Sequence, residues 1–421
     1  MAGSQRSSRA LAAICAFVVG VGAWNVLRYP PGRGFDAVDH MAYADGLVPG
    51  GHLPHGTGEY YTPPGYYAVA GSLDWVAREL GVSFYGAYRA GMAVNVLFLL
   101  GTVLLVWRIA RELFPGRERL AVGAAAFVAF LPVAVRDEAM FHPEMMSLFL
   151  CALALWLGVR TLADRRYAVP LGIALGAAQL VRAFSLWTVF VVLVALVVAR
   201  RWRELAIVVV LAAAIPAPWY VHQSLTYEGS FLFPRPVPVA TPSTHVQPIW
   251  DRRNVRFYVD PALPDVVTHP YTPHFRNLAI PTTYSELWGD YFGFWVWKGG
   301  LGAKPSAHAR HELEVQSLLG TAPTLLAVVG WISLLLASWR SPRRLAIALL
   351  PGVGILGYLY FTVGYPTKDG DVLKATYMLT TAAAWAIAFG YALDRLRGRA
   401  WWLVAALLAV CVVAELPFLV Y

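Results

Sequence analysis

Charged residues are scarce in this chain: Asp, Glu, Lys and Arg make up only 14% of its 421 residues, against 58% hydrophobic residues. The mean hydropathy is correspondingly high, at +0.54. A soluble domain could not bury that much apolar surface in one core and still present a polar surface to water. The scarcity of charge therefore excludes an ordinary soluble protein and predicts an all-α polytopic membrane protein.

Cysteine is scarcer still, since the sequence contains only Cys15, Cys151 and Cys411. All three lie in apolar runs, where a thiol packs as a small hydrophobic group. The sequence therefore indicates neither a disulfide framework nor a cysteine metal site.

Acidic residues are outnumbered by basic ones, which leaves a formal net charge of +9. The basic residues do not form the continuous stripe expected of a nucleic-acid-binding surface but occur in small clusters between apolar runs. These clusters lie at residues 6–9, 108–119, 160–166, 200–203, 340–344 and 395–399. Because basic residues favour the cytoplasmic side of a membrane, the spacing indicates an amino terminus inside the cell and no nucleic-acid partner.

Long apolar runs are abundant, and about eleven of them could span the hydrocarbon core of a bilayer. They cover residues 10–28, 88–107, 120–135, 143–161, 167–181, 185–199, 204–221, 318–338, 345–364, 374–392 and 400–420. A cleaved signal sequence is the alternative for the first run, although no small-x-small cleavage site follows it. With the basic clusters inside, two long polar stretches, residues 29–87 and 223–317, lie outside.

The two outer stretches differ in pattern. In residues 64–82, PGYYAVAGSLDWVARELGV, apolar side chains recur at helical spacing, which predicts an amphipathic helix in the membrane interface. Residues 223–317 are rich in Pro, His, Trp, Tyr and Arg without a helical period, and they predict a large, ordered but mostly irregular outer loop.

Asp36 is the first candidate for chemistry, because it lies a few residues beyond the first apolar run and could accept a proton from a hydroxyl group at the membrane surface. His40 and Tyr43 follow at i+4 and i+7, so a helix would place all three on one face. Alternatively, Asp36, Asp39 and Asp45 only keep the loop solvated or cap its turn, or Asp36, Asp39 and His40 are ligands of a divalent cation, Mg²⁺ or Mn²⁺. Their spacing is not a recognised zinc or calcium pattern, and no other cofactor is indicated.

Aromatic residues concentrate in the same outer stretches. Tyr61, Tyr66 and Tyr67 lie in EYYTPPGYY, and Trp288 and Asp290 lie in LWGDYFGFWVWKGG. Such rings stack on sugars or bind lipid, which predicts substrate contacts. A belt of rings at headgroup depth is the alternative interpretation.

Two cations stand where the cytoplasmic preference of positive charge predicts none, Lys374 at the start of a late run and Arg182 between two short runs. Both are candidates for binding a phosphate at the outer surface, with a snorkelling anchor as the alternative. Asp137, Glu138 and His142 form a further polar group, in which either acid could take part.

The segments FDAVDHMAY, HLP and YYTPPGYYAVAG together resemble the first outer loop of the GT-C fold, lipid-linked-sugar-dependent glycosyltransferases. Protein O-mannosyltransferases and lipid A aminoarabinose transferases are members of this family. The resemblance continues through FHPEMMSLFLCALALWLGVR (141–160), PWYVHQSLTYEGSF (218–231) and LKATYML (373–379). One departure is His222-Gln223, where the family has Arg-Asn, so the contact made there by relatives is in doubt.

The resemblance implies a GT-C fold with a catalytic transmembrane module at residues 1–222, a cap at 223–317 and carboxy-terminal helices at 318–421. It implies that Asp36 is the catalytic or metal-proximal carboxylate. The implied donor is a polyprenyl phosphate sugar, the acceptor is a glycan, lipid or protein, and transfer inverts the anomeric carbon. Lys374 and Arg182 would neutralise the leaving phosphate.

A flippase or carrier for lipid-linked saccharides is the alternative from a different class. Such a protein would show internal repeats and ionisable residues at span midpoints, and the sequence shows neither clearly. A ligase that transfers a whole glycan also stays open. The polar groups gather outside, so we expect an enzyme of the plasma membrane with its active site on the extracytoplasmic face.

Overall fold

The computed structural model describes residues 2–55, 58–227, 254–275, 278–290, 307–339, 341–364, 373–396 and 401–419, within which all regular secondary structure is helical. The first helices are α1 (Ala2–Arg28), α2 (Ala37–Leu47), α3 (Gly65–Glu79), α4 (Phe84–Leu113), α5 (Glu118–Ala129), α6 (Pro132–Asp137), α7 (Glu144–Thr161), α8 (Ala168–Gln179) and α9 (Leu186–Val198). The others are α10 (Trp202–Ala214), α11 (Ala217–Thr226), α12 (Val255–Val259), α13 (Asp265–Thr268), α14 (Ala279–Trp288), α15 (Ala307–Ser338), α16 (Pro342–Gly364), α17 (Ala382–Leu393) and α18 (Trp402–Leu419). Short 3₁₀ helices occur at Arg165–Tyr167, Ala183–Ser185, Thr272–Phe275 and Ala375–Thr381.

Each of the eleven predicted apolar runs contains a helix, which confirms an all-α, multi-pass membrane protein. Within the described residues, six helices are long and apolar enough to cross a membrane, and the pair α10 and α11, bent by 45°, is a further candidate. The helices α5, α8 and α9 have only 12, 12 and 13 residues. A straight span needs about 20 residues, so the number of eleven crossings stays a prediction.

Small residues hold the centre of the bundle together. Helix α5 packs against α17 where Gly390 faces the backbone of Leu120, and a Cβ at Gly390 would collide with that carbonyl. A Cβ at Gly330 of α15 would likewise collide with the Ala388 carbonyl of α17. Between apolar helices there is little hydrophobic driving force in lipid, so this close backbone approach and its van der Waals contacts stabilise the packing.

Helix α3 confirms the amphipathic helix predicted at residues 64–82. Tyr66, Tyr67 and Ala70 on one face are fully buried, whereas Trp75 and Val76 on the other are exposed. The helix entry is fixed in space because the Gly65 amide, directly after Pro63-Pro64, donates to the Leu180 carbonyl at 2.7 Å. Helix α3 therefore joins the outer loop to the bundle.

The described part of residues 223–317 contains more helix than the sequence indicated. It contains the three short helices α12, α13 and α14, and α15 begins within it at Ala307. Proline, which fixes φ and lacks an amide hydrogen, breaks the helical period here without preventing short helices. The predictions for residues 228–253, for the aromatic run after Asp290 and for KDGD at 368–371 lie outside the described residues.

Asp74 should make the packing of α3 on α4 sensitive to pH. Its side chain is buried and accepts a hydrogen bond from the Gly91 amide at 3.0 Å, while burial raises its pKa to about 7. A folded-state pKa above the ordinary value means that the stability linked to the bound proton is present in acid and lost as pH rises through 7. We expect the wild type to lose about 1.4 kcal/mol between pH 6 and pH 8.5, and Asp74→Asn to lose none of it.

Thermal unfolding in detergent across that pH range measures this difference. Glu79→Gln, which alters an exposed acid at the end of the same helix, should keep the wild-type pH slope. Parallel curves for the wild type and Asp74→Asn would contradict the assignment.

Candidate functional site

Asp36 and Lys374, far apart in sequence, meet at one end of the bundle. Lys374 Nζ donates to Asp36 Oδ2 at 3.0 Å and lies 3.9 Å from the centre of the Phe35 ring. The Asp36 side chain is 40% exposed, whereas that of Lys374 is 11% exposed. Asp36 begins α2 with a left-handed backbone, φ 49°, a conformation that Asp tolerates better than most residues. This geometry presents a carboxylate to water beside a nearly buried cation.

The two groups hold each other in their charged forms. Burial alone would raise the pKa of Asp36, but the charge and hydrogen bond of Lys374 outweigh it and lower that pKa below the ordinary value. Burial likewise favours a neutral Lys374, yet neighbouring Tyr377 and Asp36 raise its pKa. Asp36 is therefore ionised at neutral pH and can accept a proton once Lys374 has another partner.

Arg182 is a buried group and not a snorkelling anchor. Its Nε donates to Glu144 Oε1 at 2.7 Å, its Nη2 also contacts that oxygen, and its Nη1 donates to Thr62 Oγ1 at 3.3 Å. The side chains of Arg182 and Glu144 are 8% and 0% exposed. Charges are buried only when they are paired in this way, so the pair is a built feature of the site.

The Tyr377 ring lies near both Lys374 and Arg182. The Tyr377 ring centre lies 5.7 Å from Lys374 Nζ and 5.5 Å from the Arg182 guanidinium carbon. The structure thus brings together Asp36, Lys374 and Arg182, the three residues predicted to have the main chemical roles. Together they form a carboxylate with two cations that both lie near the same aromatic ring.

Sequence reasoning missed Glu59, which lies at the centre of this group. Glu59 is buried and accepts hydrogen bonds from Thr62 Oγ1 at 2.6 Å and from Tyr61 Oη at 3.1 Å. Its position at the head of EYYTPP was the available signal, because a carboxylate in such an apolar segment needs a partner. Tyr61 itself is 44% exposed, so its ring is available to a sugar or lipid.

His40 and Tyr43 lie on the buried face of α2, while Asp39 is exposed. Asp36, which was predicted to share that face, instead precedes the helix with a left-handed backbone and is exposed. His40 Nδ1 lies 2.7 Å from Tyr67 Oη, and the Tyr43 ring stacks on Tyr67 at 3.9 Å. The rings of His40 and His142 meet edge to face at 4.7 Å. Burial lowers the pKa of both histidines to about 3, so both are neutral at physiological pH.

The structure also separates the two acids that the sequence could not distinguish. Asp137 Oδ1 lies 3.2 Å from His142 Nδ1, and His142 in turn packs on His40. Glu138 faces α1 instead, since a Cβ at Gly22 would lie 3.0 Å from its Oε1. Asp137 is therefore linked through His142 to His40 of α2.

The expectation that Tyr66, Tyr67 and Trp288 present a ring surface to sugar or lipid is corrected by their burial. All three are at most 1% exposed, and Asp290 is buried as well. Trp288 Nε1 donates to Thr324 Oγ1 at 2.8 Å, and its ring lines an apolar cavity of about 170 Å³ between α5, α14, α15 and the 3₁₀ helix Ala375–Thr381. Neighbouring helices pack against these rings and bury them. The periodicity of the sequence cannot predict this packing.

Gln223, which stands where the family has Asn, makes a contact of its own. Its Nε2 donates to the Tyr60 carbonyl at 2.9 Å, and the side chain is buried. The contact at this position is thus to the backbone of the first outer loop. Among the described residues, no three His, Cys, Asp or Glu side chains come together as a metal site.

The architecture is that of the GT-C fold. Residues 80–222 match the sequence model of the dolichyl-phosphate-mannose-protein mannosyltransferase family. The apo crystal structure of ArnT from Cupriavidus metallidurans superposes with a TM-score of 0.53 at 18% identity, over 95% of this chain and 62% of that one. No curated protein matches the chain in sequence.

The Archaeoglobus fulgidus oligosaccharyltransferase is similar to the same extent. Its complex with Zn and sulfate has a TM-score of 0.53 at 15% identity, over 98% of this chain and 52% of that one. The same enzyme, AglB, in complex with an inhibitory peptide and a dolichol-phosphate, gives 0.51 at 15% identity, over 98% and 55%. The chain thus spans between half and two thirds of the length of these proteins, and at such low identity the likeness shows the fold.

Proposed function

We propose that the protein is a membrane glycosyltransferase that moves a sugar from a polyprenyl phosphate to an acceptor hydroxyl. The observation that carries the proposal is the exposed Asp36 carboxylate beside Lys374, with Arg182 beyond Tyr377. The family match and the fold support the reaction class, and AglB, a protein of the same fold, has been solved with a dolichol-phosphate.

The two cations suit a phosphate that gains charge during the reaction. A sugar phosphodiester carries one negative charge, and breaking the bond between the anomeric carbon and the phosphate oxygen leaves a second charge on the phosphate. Preorganised cations away from bulk water stabilise that developing charge strongly. The distances of Lys374 and Arg182 from the shared Tyr377 ring, 5.7 and 5.5 Å, support their assignment as the groups that bind this phosphate.

Asp36 suits the acceptor side of the same reaction. Once the donor phosphate engages Lys374, the Asp36 carboxylate accepts the acceptor's hydroxyl proton. The acceptor oxygen then forms its bond to the anomeric carbon on the face opposite the phosphate, so the configuration inverts. The acceptor is a glycan, a lipid or a protein at the membrane surface.

The position of the site along α7 supports an extracytoplasmic active site. The first residue of α7, Glu144, pairs with Arg182, and its penultimate residue, Arg160, lies 3.6 Å from Glu112 among the basic clusters. A helix of 18 residues is about 27 Å long, close to the thickness of the hydrocarbon core. Since the basic clusters favour the cytoplasm, the site faces the other side of the plasma membrane.

Purified protein in nanodiscs should transfer sugar from a synthetic polyprenyl phosphate sugar with inversion. We expect an α-linked product from a β-linked donor, measured by proton NMR, with released polyprenyl phosphate in equal amount. EDTA decides whether Mg²⁺ or Mn²⁺ takes part. Saturable donor binding without turnover, together with movement of the lipid between leaflets, would favour a carrier, and turnover only with donors that carry whole glycans would favour a ligase.

A further inference from the structure

Glu286 holds the segment that begins at Lys374. Glu286 is 1% exposed, and its Oε2 accepts a hydrogen bond from the Ala375 amide at 2.6 Å. Ala375 is the first residue of the 3₁₀ helix Ala375–Thr381, and Lys374 is its N-cap residue, whose side chain makes no capping bond. Amides at a helix start have no partner within the helix. A carboxyl group from another helix therefore fixes the start of this one.

Helix α14, which carries Glu286, is anchored on several sides. Thr283 Oγ1 lies 3.1 Å from Tyr358 Oη of α16. Tyr284 Oη donates to the Ser317 carbonyl of α15 at 2.7 Å, and Trp288 Nε1 bonds Thr324 of the same helix. Glu286 is thus presented by a rigid element, and the backbone of the 375–381 helix takes its position from α14.

The ammonium group of Lys374 depends directly on that backbone. The Ala375 amide is bonded to the carbonyl carbon of Lys374, so a shift of this peptide moves the whole lysine side chain. The Nζ atom is closely surrounded, with Asp36 Oδ2 at 3.0 Å and the Phe35 ring centre at 3.9 Å. A displacement of about 1 Å is enough to disturb such a charge-assisted contact.

We propose that Glu286 is a positioning residue that sets Lys374 for the donor phosphate, an inference that rests on the proposed function. It acts through the Ala375 amide and does not touch the substrate. Burial raises the pKa of Glu286 well above its ordinary value, so the group serves as a hydrogen-bond acceptor and does not compete with the phosphate for Lys374 as a second anion. The outer segment between α11 and α15 thereby contributes to the site.

Binding of a synthetic polyprenyl phosphate without sugar tests this role independently of transfer. We expect Glu286→Leu to raise the Kd in nanodiscs about tenfold, because the amide loses its acceptor and the turn shifts. Glu286→Gln keeps a carbonyl oxygen for the amide and should bind within about twofold of the wild type. With the sugar donor, Glu286→Leu should raise KM by about the same factor and also lower kcat, because Lys374 stabilises the charge that develops on the leaving phosphate.

Two further variants guard against a purely structural effect. Glu286→Asp keeps the acid but is one methylene shorter, so it should raise the Kd as Glu286→Leu does, even if the leucine variant fails to fold. Tyr284→Phe removes another anchor of α14 and should leave the Kd unchanged. An unchanged Kd in the aspartate variant, or an equal rise in the glutamine variant, overturns the inference.

The outcomes also separate this inference from the proposed function. If the wild type binds polyprenyl phosphate, and the leucine and aspartate variants bind it weakly, but no donor is turned over, Glu286 positions Lys374 in a protein that is not a transferase. If the wild type transfers sugar and these variants keep its Kd and KM, the function stands and the role of Glu286 is refuted.

Discussion

Sugar transfer falls about a thousandfold when Asp36 is replaced by Asn, because a general base contributes a factor of this order and an amide cannot accept the proton. Asn keeps the size of the side chain, and Asp36 is 40% exposed, so the fold and membrane insertion should persist. The loss should appear in kcat. Turnover of a polyprenyl phosphate sugar by purified wild type and variant, with matched thermal unfolding curves, measures it.

Donor affinity should move in the opposite direction in the same variant. In this structure Lys374 Nζ is hydrogen-bonded to Asp36 at 3.0 Å. A donor phosphate must therefore compete with the Asp36 carboxylate for the ammonium group. Removing the carboxylate frees the ammonium group, so polyprenyl phosphate should bind a few-fold more tightly, by about 0.5–1 kcal/mol. A tighter Kd with a lower kcat would distinguish a catalytic role from simple damage to the site.

Asp39→Asn is the matched control, because it removes the same charge one turn along α2. Asp39 is largely exposed. Its partial burial and the nearby charge of Asp36 raise its pKa, so its ionised form is less stabilised than that of Asp36. We expect less than about a threefold change in kcat, as for most exposed substitutions. Transfer at the wild-type rate by Asp36→Asn, or an equal loss in Asp39→Asn, would remove Asp36 from the mechanism.

Arg182→Met should both destabilise the protein and stop transfer. Removing one partner of a buried ion pair leaves the other charge unmatched, at a cost of about 3–5 kcal/mol. Glu144 would be that charge, since its side chain is fully buried and both described contacts to its Oε1 come from Arg182. Thermal unfolding in detergent and the transfer assay report the two effects separately.

The double variant Arg182→Met with Glu144→Gln distinguishes a role of Arg182 in stability from a role in sugar transfer. Neutralising both partners removes the unmatched charge, so most of the lost stability should return. Transfer should not return, because the cation that faces Tyr377 and the donor phosphate is still missing. Recovery of both stability and activity would show that Arg182 serves the fold alone.

An exposed ion pair provides the control for this cycle. Arg166 and Asp164 are 2.6 Å apart, but their side chains are 73% and 41% exposed. Solvent screens such a pair, and its removal costs at most about 1 kcal/mol. Arg166→Met should therefore leave both the unfolding temperature and the transfer rate close to the wild type.

The sequence by itself determined the class of the protein and the positions of its apolar helices. Scarce charge and long apolar runs allow only a helical membrane protein, because backbone groups in lipid must bond within their own segment. Local periodicity likewise fixed α3, whose bounds Gly65–Glu79 lie within the predicted 64–82. Asp36, Lys374 and Arg182 were identifiable for a related reason: a charge at a membrane boundary is costly unless it has a partner or a role.

Only the tertiary structure decided which partners these groups have. Glu144 and Glu286 were not singled out, because an isolated acid in a sequence does not reveal the cation or amide that it meets more than a dozen residues away. Burial of Tyr66 and Tyr67 depends on helices that pack over them, not on their own spacing. Pairings such as Lys374 with Asp36, across 338 residues, arise when the helices close into a bundle, and local pattern carries no information about that closure.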